Sequence, residues 1–220
     1  MRIIFVRHGQ TTFNLESRYQ GHTDAKLSKL GIEQARAVAK RLRSEKVEAV
    51  YSSDLSRAVD TAKEIAAFHD ICVNTDPRLR ECKFGDWEGL TVAEISERYA
   101  DLYANYLRDS VAFRAPNGER LEQMQERTVQ AVNEICQNHP VGNVVVVTHG
   151  GPIRAFICHA LGTSLHAFRS IRLDNCGITI LSKEANSRWF LEVMNDVCHL
   201  NLLETTRYYH DETCVQGRHR

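Results

Sequence analysis

Short runs of β-branched and apolar residues alternate along this chain with longer stretches whose apolar positions recur at helical spacing. The runs predict strands at residues 3–6, 49–51, 72–74, 144–148, 177–181 and 190–193. Two of them, Ile3-Ile4-Phe5-Val6 and Val144-Val145-Val146-Val147, are apolar at every position, the pattern of central strands covered on both faces. From an N-cap at Ser28, Ala35, Val38, Ala39 and Leu42 fall on one helical face while Glu33, Arg36, Lys40 and Arg41 fall elsewhere. A second helix over residues 55–69 carries Leu55, Ala58, Val59, Ala62, Ile65 and Ala66 at helical spacing. A third follows Asn117-Gly118, turns Leu121, Met124, Thr128, Ala131 and Ile135 inward, and ends before Pro140. A fourth opens at Gly151-Pro152, with proline in the first turn, where its missing N–H is tolerated. This alternation predicts an α/β fold: a three-layer α/β/α sandwich around a mostly parallel central sheet.

The pattern changes between residues 91 and 118, a mixed-charge stretch containing Tyr99, Tyr103 and Tyr106. It is expected to form one or two short helices as an insertion over the sheet edge, with the three tyrosines as a packing stripe. The expected domain spans residues 1–203, and the polar residues 204–220 form a tail that is loose or weakly docked.

Composition narrows the function. With 220 residues the chain is long enough for one substantial core. Its 28 Lys and Arg balance 28 Asp and Glu, which argues against a generic nucleic-acid or acidic-membrane binder, since either needs a surplus of cations. No apolar run approaches the roughly 18 residues of a membrane span, and Arg7-His8 comes too early for a signal peptide. A soluble, cytoplasmic protein is the expectation. The seven cysteines (Cys72, Cys82, Cys136, Cys158, Cys176, Cys198 and Cys214) contain no Cys-x-x-Cys pair, so they are expected to be small buried hydrophobes in a reducing compartment.

Candidate chemistry sits where predicted strands end. The first strand runs straight into Arg7-His8-Gly9, and the run at 144–148 into His149-Gly150-Gly151-Pro152. Side chains at the carboxyl ends of central strands face the place where open α/β sheets hold ligands. The helix opening near Pro152 would aim free N–H groups at the same point, an anion site. Tyr51-Ser52-Ser53-Asp54-Leu55-Ser56-Arg57 leads from a strand into a helix whose first turn brings Arg57, a planar fork suited to phosphate oxygens. The Gly- and charge-rich loop over residues 78–89 offers Glu81, Asp86 and Glu88 as proton donors.

Together these segments resemble the histidine phosphatase superfamily, the group that includes phosphoglycerate mutases. The resemblance rests on Arg7-His8-Gly9 with Asn14, Tyr19-Gln20-Gly21-His22-Thr23-Asp24 with Leu27-Ser28 and Gly31, and Ser52-Ser53 with Arg57-Ala58 and Thr61-Ala62. Glu81 with Phe84-Gly85-Asp86-Trp87-Glu88-Gly89, and Thr148-His149-Gly150-Gly151, complete it. It implies His8 as the nucleophile that becomes a phosphohistidine, and Glu81 as the acid and then the base. Arg7, Arg57 and His149, with Asn14 helping, would hold the phosphoryl oxygens; Gln20, Gly21 and Gly150 would contact substrate. No metal and no other cofactor is implied.

Competing readings use the same residues. The two histidines could be satisfied core residues, or could join Asp54 or Asp86 at a metal, although no ligand pair has the helical i, i+4 spacing. Arg57 could be a solvated helix charge, and Glu81 could pair with Arg78 or Arg80. Gln20, Gly21 and His22 could line the pocket or shape a turn.

The expected activity is metal-independent hydrolysis of a small phosphorylated metabolite. The compact insertion and the Phe84 to Gly89 segment look like the phosphatase branch, although Arg120 stands where many relatives have Ser and Gln10 where Glu is frequent. A cofactor-dependent phosphoglycerate mutase and a catalytically idle phosphate-recognition module are the alternatives. No nucleic acid or membrane partner is expected; the oligomeric state stays open, a homodimer included. The substrate is expected to be set within residues 91–116 and the tail.

Overall fold

The uninterrupted apolar runs at residues 3–6 and 144–147 need cover on both faces, and a sheet interior supplies it. The computed structural model describes residues 1–184 and 188–201. Six strands, β1 (Arg2–Arg7), β2 (Val47–Ser52), β3 (Val73–Thr75), β4 (Asn143–Thr148), β5 (Ile178–Lys183) and β6 (Trp189–Asp196), form one sheet in the order β3-β2-β4-β1-β5-β6. The first four in that order are mutually parallel, while β5 pairs antiparallel with both β1 and β6. Ile3 to Val6 and Val144 to Val147 have no exposed surface, as central strands require.

Strand alternation then assigns each side chain to a layer. Ile4, Val6, Val50, Val145 and Val147 meet Val38, Ala39 and Leu42 of α2 (Lys29–Leu42) and Ala58, Ala62 and Ile65 of α3 (Ser56–Ala66). On the other face, Ile3, Phe5, Ala49, Val144 and Val146 meet Ala131, Val132 and Ile135 of α6 (Leu121–Asn138) and Ile153, Phe156 and Ile157 of α7 (Gly150–Ala160). The three layers are those the sequence predicts. The second helix stops at Ala66, three residues short of the expected end, because the chain must turn back into β3.

The remaining helices are α1 (Thr12–Leu15), which periodicity did not reveal, and α4 (Val92–Arg98) and α5 (Ala100–Arg108) in the insertion. The insertion does not cover a sheet edge as expected. Its Ile95 and Tyr103 join Tyr19, Trp87 and Ala115 in a separate apolar cluster, because the aromatic residues of the 80s loop offer the nearest apolar surface. Tyr103 and Tyr106 pack edge-on against Trp87, the stripe role expected of them. Cys82, Cys136, Cys158 and Cys176 are buried, but Cys72 and Cys198 are exposed because they lie in the turns before β3 and after β6; Cys214 and the tail lie outside the described residues. Among the described residues no helix is long and apolar enough to cross a membrane.

One contact fixes how the segment after β1 meets α2. Ser28 caps the helix, its Oγ accepting from Gly31 N–H (3.0 Å) and donating to Gln10 Oε1 (2.9 Å). Gln10 N–H in turn donates to Gln34 Oε1 (2.9 Å), so Gln10 is a brace between strand end and helix. A Cβ at Gly31 would overlap the Gln10 carbonyl oxygen. Gly31→Ala therefore loses about 1–3 kcal/mol of stability in urea unfolding, despite a gain of about 1 kcal/mol in helix propensity. An unchanged or higher midpoint would show that the strand end shifts freely.

Candidate active site

The site begins with strand register. In the parallel pair β1–β4, Arg7 lies opposite Thr148, and His8 N–H donates to Thr148 O (2.9 Å). His8 and His149 are therefore the first residues past the paired ends, and their rings sit 5.0 Å apart at 61°. Both are buried. The segment before β5 braces this end: Asn175 Nδ2 donates to His8 O (2.9 Å), and Cys176 N–H to Arg7 O (2.8 Å).

Hydrogen bonds then choose the tautomers. His8 Nδ1 lies 2.7 Å from Gly9 O, which can only accept, so Nδ1 carries the proton and the Nε2 lone pair is free. Burial, then the charges of Arg57 and Arg7, hold the His8 pKa well below the ordinary imidazole value, keeping the ring neutral. At His149 the logic reverses. Arg57 Nε donates to Nδ1 (3.3 Å), leaving the proton on Nε2, which lies 2.9 Å from Ser53 Oγ. Its pKa is also well below the ordinary value, by burial and by Arg57.

Arg57 is fully buried, so it is no solvated helix charge. Its Nη1 donates to Thr23 O (2.9 Å) and its Nη2 to Gly21 O (2.7 Å). Burial pulls its pKa down to about 10, which still leaves it charged at neutral pH. The loop supplying these carbonyls is held by Glu88, whose two oxygens accept from His22 N–H, Thr23 N–H and Phe84 N–H. Glu88 is thereby occupied as a loop clamp. Asp86 accepts from Asn117 Nδ2, and Asp54 pairs with Arg80. Glu88, Asp86 and Asp54 thus each already have a protein partner.

Glu81 lies at the start of α7. Its Oε2 accepts from Gly151 N–H (3.1 Å) and its Oε1 from its neighbour Cys82 N–H (2.8 Å). A Cβ at Gly151 would overlap Glu81 Oε1, so glycine there is what lets the carboxylate reach the helix end. The competing reading of Glu81, an ion pair with Arg78 or Arg80, is absent among the described residues, because Arg78 pairs with Asp76 and Glu134, and Arg80 with Asp54. Sequence reasoning missed the support. Arg127 Nη1 donates to Arg78 O and Arg80 O, and its Nη2 to Glu81 O (2.8 Å) and Glu119, while His22 Nε2–H donates to Glu81 O (3.0 Å). Only the helical phase of Arg127 on α6, off the inward stripe, offered any signal.

The other proposed ligands gather at the same end. Arg7 donates to Leu173 O, and its Nε lies 3.7 Å from where a Gly150 Cβ would stand. Asn14 Oδ1 caps α1 by accepting from Thr11 N–H (3.0 Å), and Gln20 Oε1 lies 2.9 Å from Thr11 Oγ1. Each side chain thus keeps its amide NH₂ as a remaining donor. The arrangement unites an unprotonated imidazole nitrogen, two guanidinium groups and a carboxylate, the set that phosphoryl transfer to nitrogen requires.

The sequence profile of the Histidine phosphatase superfamily (branch 1) matches residues 3–197. Phosphoserine phosphatase 1 of Hydrogenobacter thermophilus is 33% identical over 91% of this chain and 94% of its own. Phosphoglycerate mutase-like protein 4 of Arabidopsis thaliana is 37% identical over 90% of this chain and 86% of its own. The structure of a mycobacterial glucosyl-3-phosphoglycerate phosphatase, solved with VO3, superposes with a TM-score of 0.82 at 34% identity, covering 88% of this chain and 98% of that one.

Two neutral buried imidazoles make stability depend on acid. The unfolded chain takes up protons near pH 6.5 that folded His8 and His149 refuse, so stability is full above about that pH and is lost as pH falls. Each contributes a slope approaching about 1.4 kcal/mol per pH unit below pH 6. Urea unfolding between pH 8 and pH 5 should give a shallower acid slope for His149→Asn than for the parent chain; identical slopes would mean His149 is protonated in the fold.

Proposed function

The chain belongs to branch 1 of the histidine phosphatase superfamily, and on that premise we propose that it hydrolyses phosphate monoesters of small metabolites, without a metal, through a phosphohistidine on His8. The observation that carries this reading is the pairing of His8 Nδ1 with Gly9 O, which leaves a neutral Nε2 lone pair beside Arg7, Arg57 and His149. Nε2 attacks phosphorus in line as the P–O bond to the alcohol breaks. Glu81, as the acid, protonates the departing alkoxide. Water then attacks phosphorus, the N–P bond breaks, and Glu81 takes the water proton. Arg7 and Arg57 stabilise the charge spread over the equatorial oxygens in both steps, the work otherwise done by a bound cation.

His149 supports this chemistry indirectly as well. Tied between Arg57 Nε and Ser53 Oγ, it keeps the guanidinium plane oriented and offers a neutral edge to His8. The relatives' names include both phosphatases and mutases. The short insertion, with α4 and α5 packed on Trp87, favours hydrolysis, since a mutase must shield its phosphoenzyme from water while the substrate reorients.

Rapid quenching in alkali during turnover of a radiolabelled monoester should trap label on His8, with free phosphate as product. His8→Ala should lose label and turnover while keeping its circular-dichroism spectrum; substantial residual hydrolysis would remove His8 from this role. Transfer of label between positions of 3-phosphoglycerate, dependent on bisphosphoglycerate, would replace hydrolysis with mutase activity. Glu81→Gln should lower kcat on an alkyl phosphate by about 10²–10⁴ but affect p-nitrophenyl phosphate, whose leaving group needs no proton, far less. Equal losses would point to another acid.

A further inference from the structure

Beside Glu81 the wall of the site changes character. Phe84, Tyr106, Phe113 and Phe168 line a cleft that opens from the carboxylate. Two of these rings are held by aromatic neighbours: Phe113 stacks on Trp87 at 4.9 Å and meets Tyr106 at 5.4 Å. Arg169 also lines it, its Nη1 donating to Leu107 O (3.1 Å) at the C-terminus of α5, where a cation suits the helix dipole.

One cation faces this cleft from the phosphate side. Arg154, on α7, lays its guanidinium over the Phe168 ring at 4.2 Å and donates through Nε to Gly150 O (3.1 Å). Its Nη2 lies 3.7 Å from the position of a Gly150 Cβ, as does Arg7 Nε, so it stands at the junction of phosphate site and cleft. Among the described residues neither terminal nitrogen of Arg154 finds an acceptor. The carboxylates of this wall are committed: Glu119 is gripped by Arg127 and by Lys83 N–H, and Glu81 is the proton donor.

Resting on the phosphatase reading above, we propose that the cleft selects monoesters whose alcohol has a flat apolar body bearing an anionic group, with Arg154 as the specificity-determining residue. The rings take the apolar body, and Arg154 takes the anion in a charge-assisted bond. A leaving group carrying an ammonium, such as serine, meets cations and no uncommitted carboxylate among the described residues, and is disfavoured.

Calorimetry with non-hydrolysable phosphonates tests this without relying on turnover. 4-(Phosphonomethyl)benzoate should bind about tenfold or more tightly than benzylphosphonate, and the 4-aminomethyl analogue more weakly than either. Arg154→Gln should remove the benzoate advantage and leave benzylphosphonate within about twofold, while Arg154→Lys restores part of it. Equal binding of all three ligands to the parent chain would overturn the proposal. So would an equal loss for benzoate and benzylphosphonate in Arg154→Gln, which would make Arg154 a ligand of the phosphoryl group itself. Turnover of 4-carboxyphenyl and phenyl phosphates reports separately on hydrolysis: its absence alongside the binding preference would overturn only the phosphatase reading.

Discussion

The in-register parallel pairing of β1 with β4 is the constraint on which the rest of this site depends. Because Arg7 pairs with Thr148, the next residue of each strand is a histidine, and both rings leave the sheet at one level. A slip of one residue would send one imidazole to the opposite face of the sheet. The two strands hold their register because every side chain from Ile3 to Val6 and from Val144 to Val147 is buried against helices on one face or the other. The hydrophobic core thus sets the geometry of the histidine pair directly.

Around that pair the molecule manages buried polarity by dividing labour. Arg57 is a charge with no exposed surface, tolerable because Gly21 O, Thr23 O and His149 Nδ1 each accept from it. The two carbonyl acceptors belong to a loop held by Glu88, whose Oε1 also accepts from Phe84 N–H in the loop that follows Glu81. Arg127 clamps the backbone that leads into that second loop, at Arg78 O, Arg80 O and Glu81 O. The two loops are thereby tied to each other and to α6, and burial with the neighbouring cations keeps the two histidines neutral.

Much of this was legible in the residues. Complete apolarity marked β1 and β4 as central, Ser28 marked the start of α2, and the positions where strands end marked His8 and His149. The rivals to Glu81 were not separable in sequence, since Asp86 and Glu88 lie within seven residues of it and share its chemistry. Their partners differ in the fold: Glu88 bonds the backbone of the 20s loop, some 65 residues away in sequence, while Glu81 reaches the N-terminus of α7. The insertion's helices were foreseen and their docking was not, because amphipathic spacing says which face is buried and nothing of what covers it.

The sequence by itself determined the alternation of strands and helices, the layers they form and the residue types at the strand ends, since these follow from local periodicity and turn chemistry. Only the tertiary structure decided the tautomers of His8 and His149, the burial of Arg57, the support of Glu81 by Arg127 and His22, and the cleft that Arg154 faces. Each of those depends on a hydrogen bond or ring contact between segments distant in the chain. Such partners are chosen by packing in three dimensions, and local pattern carries no record of them.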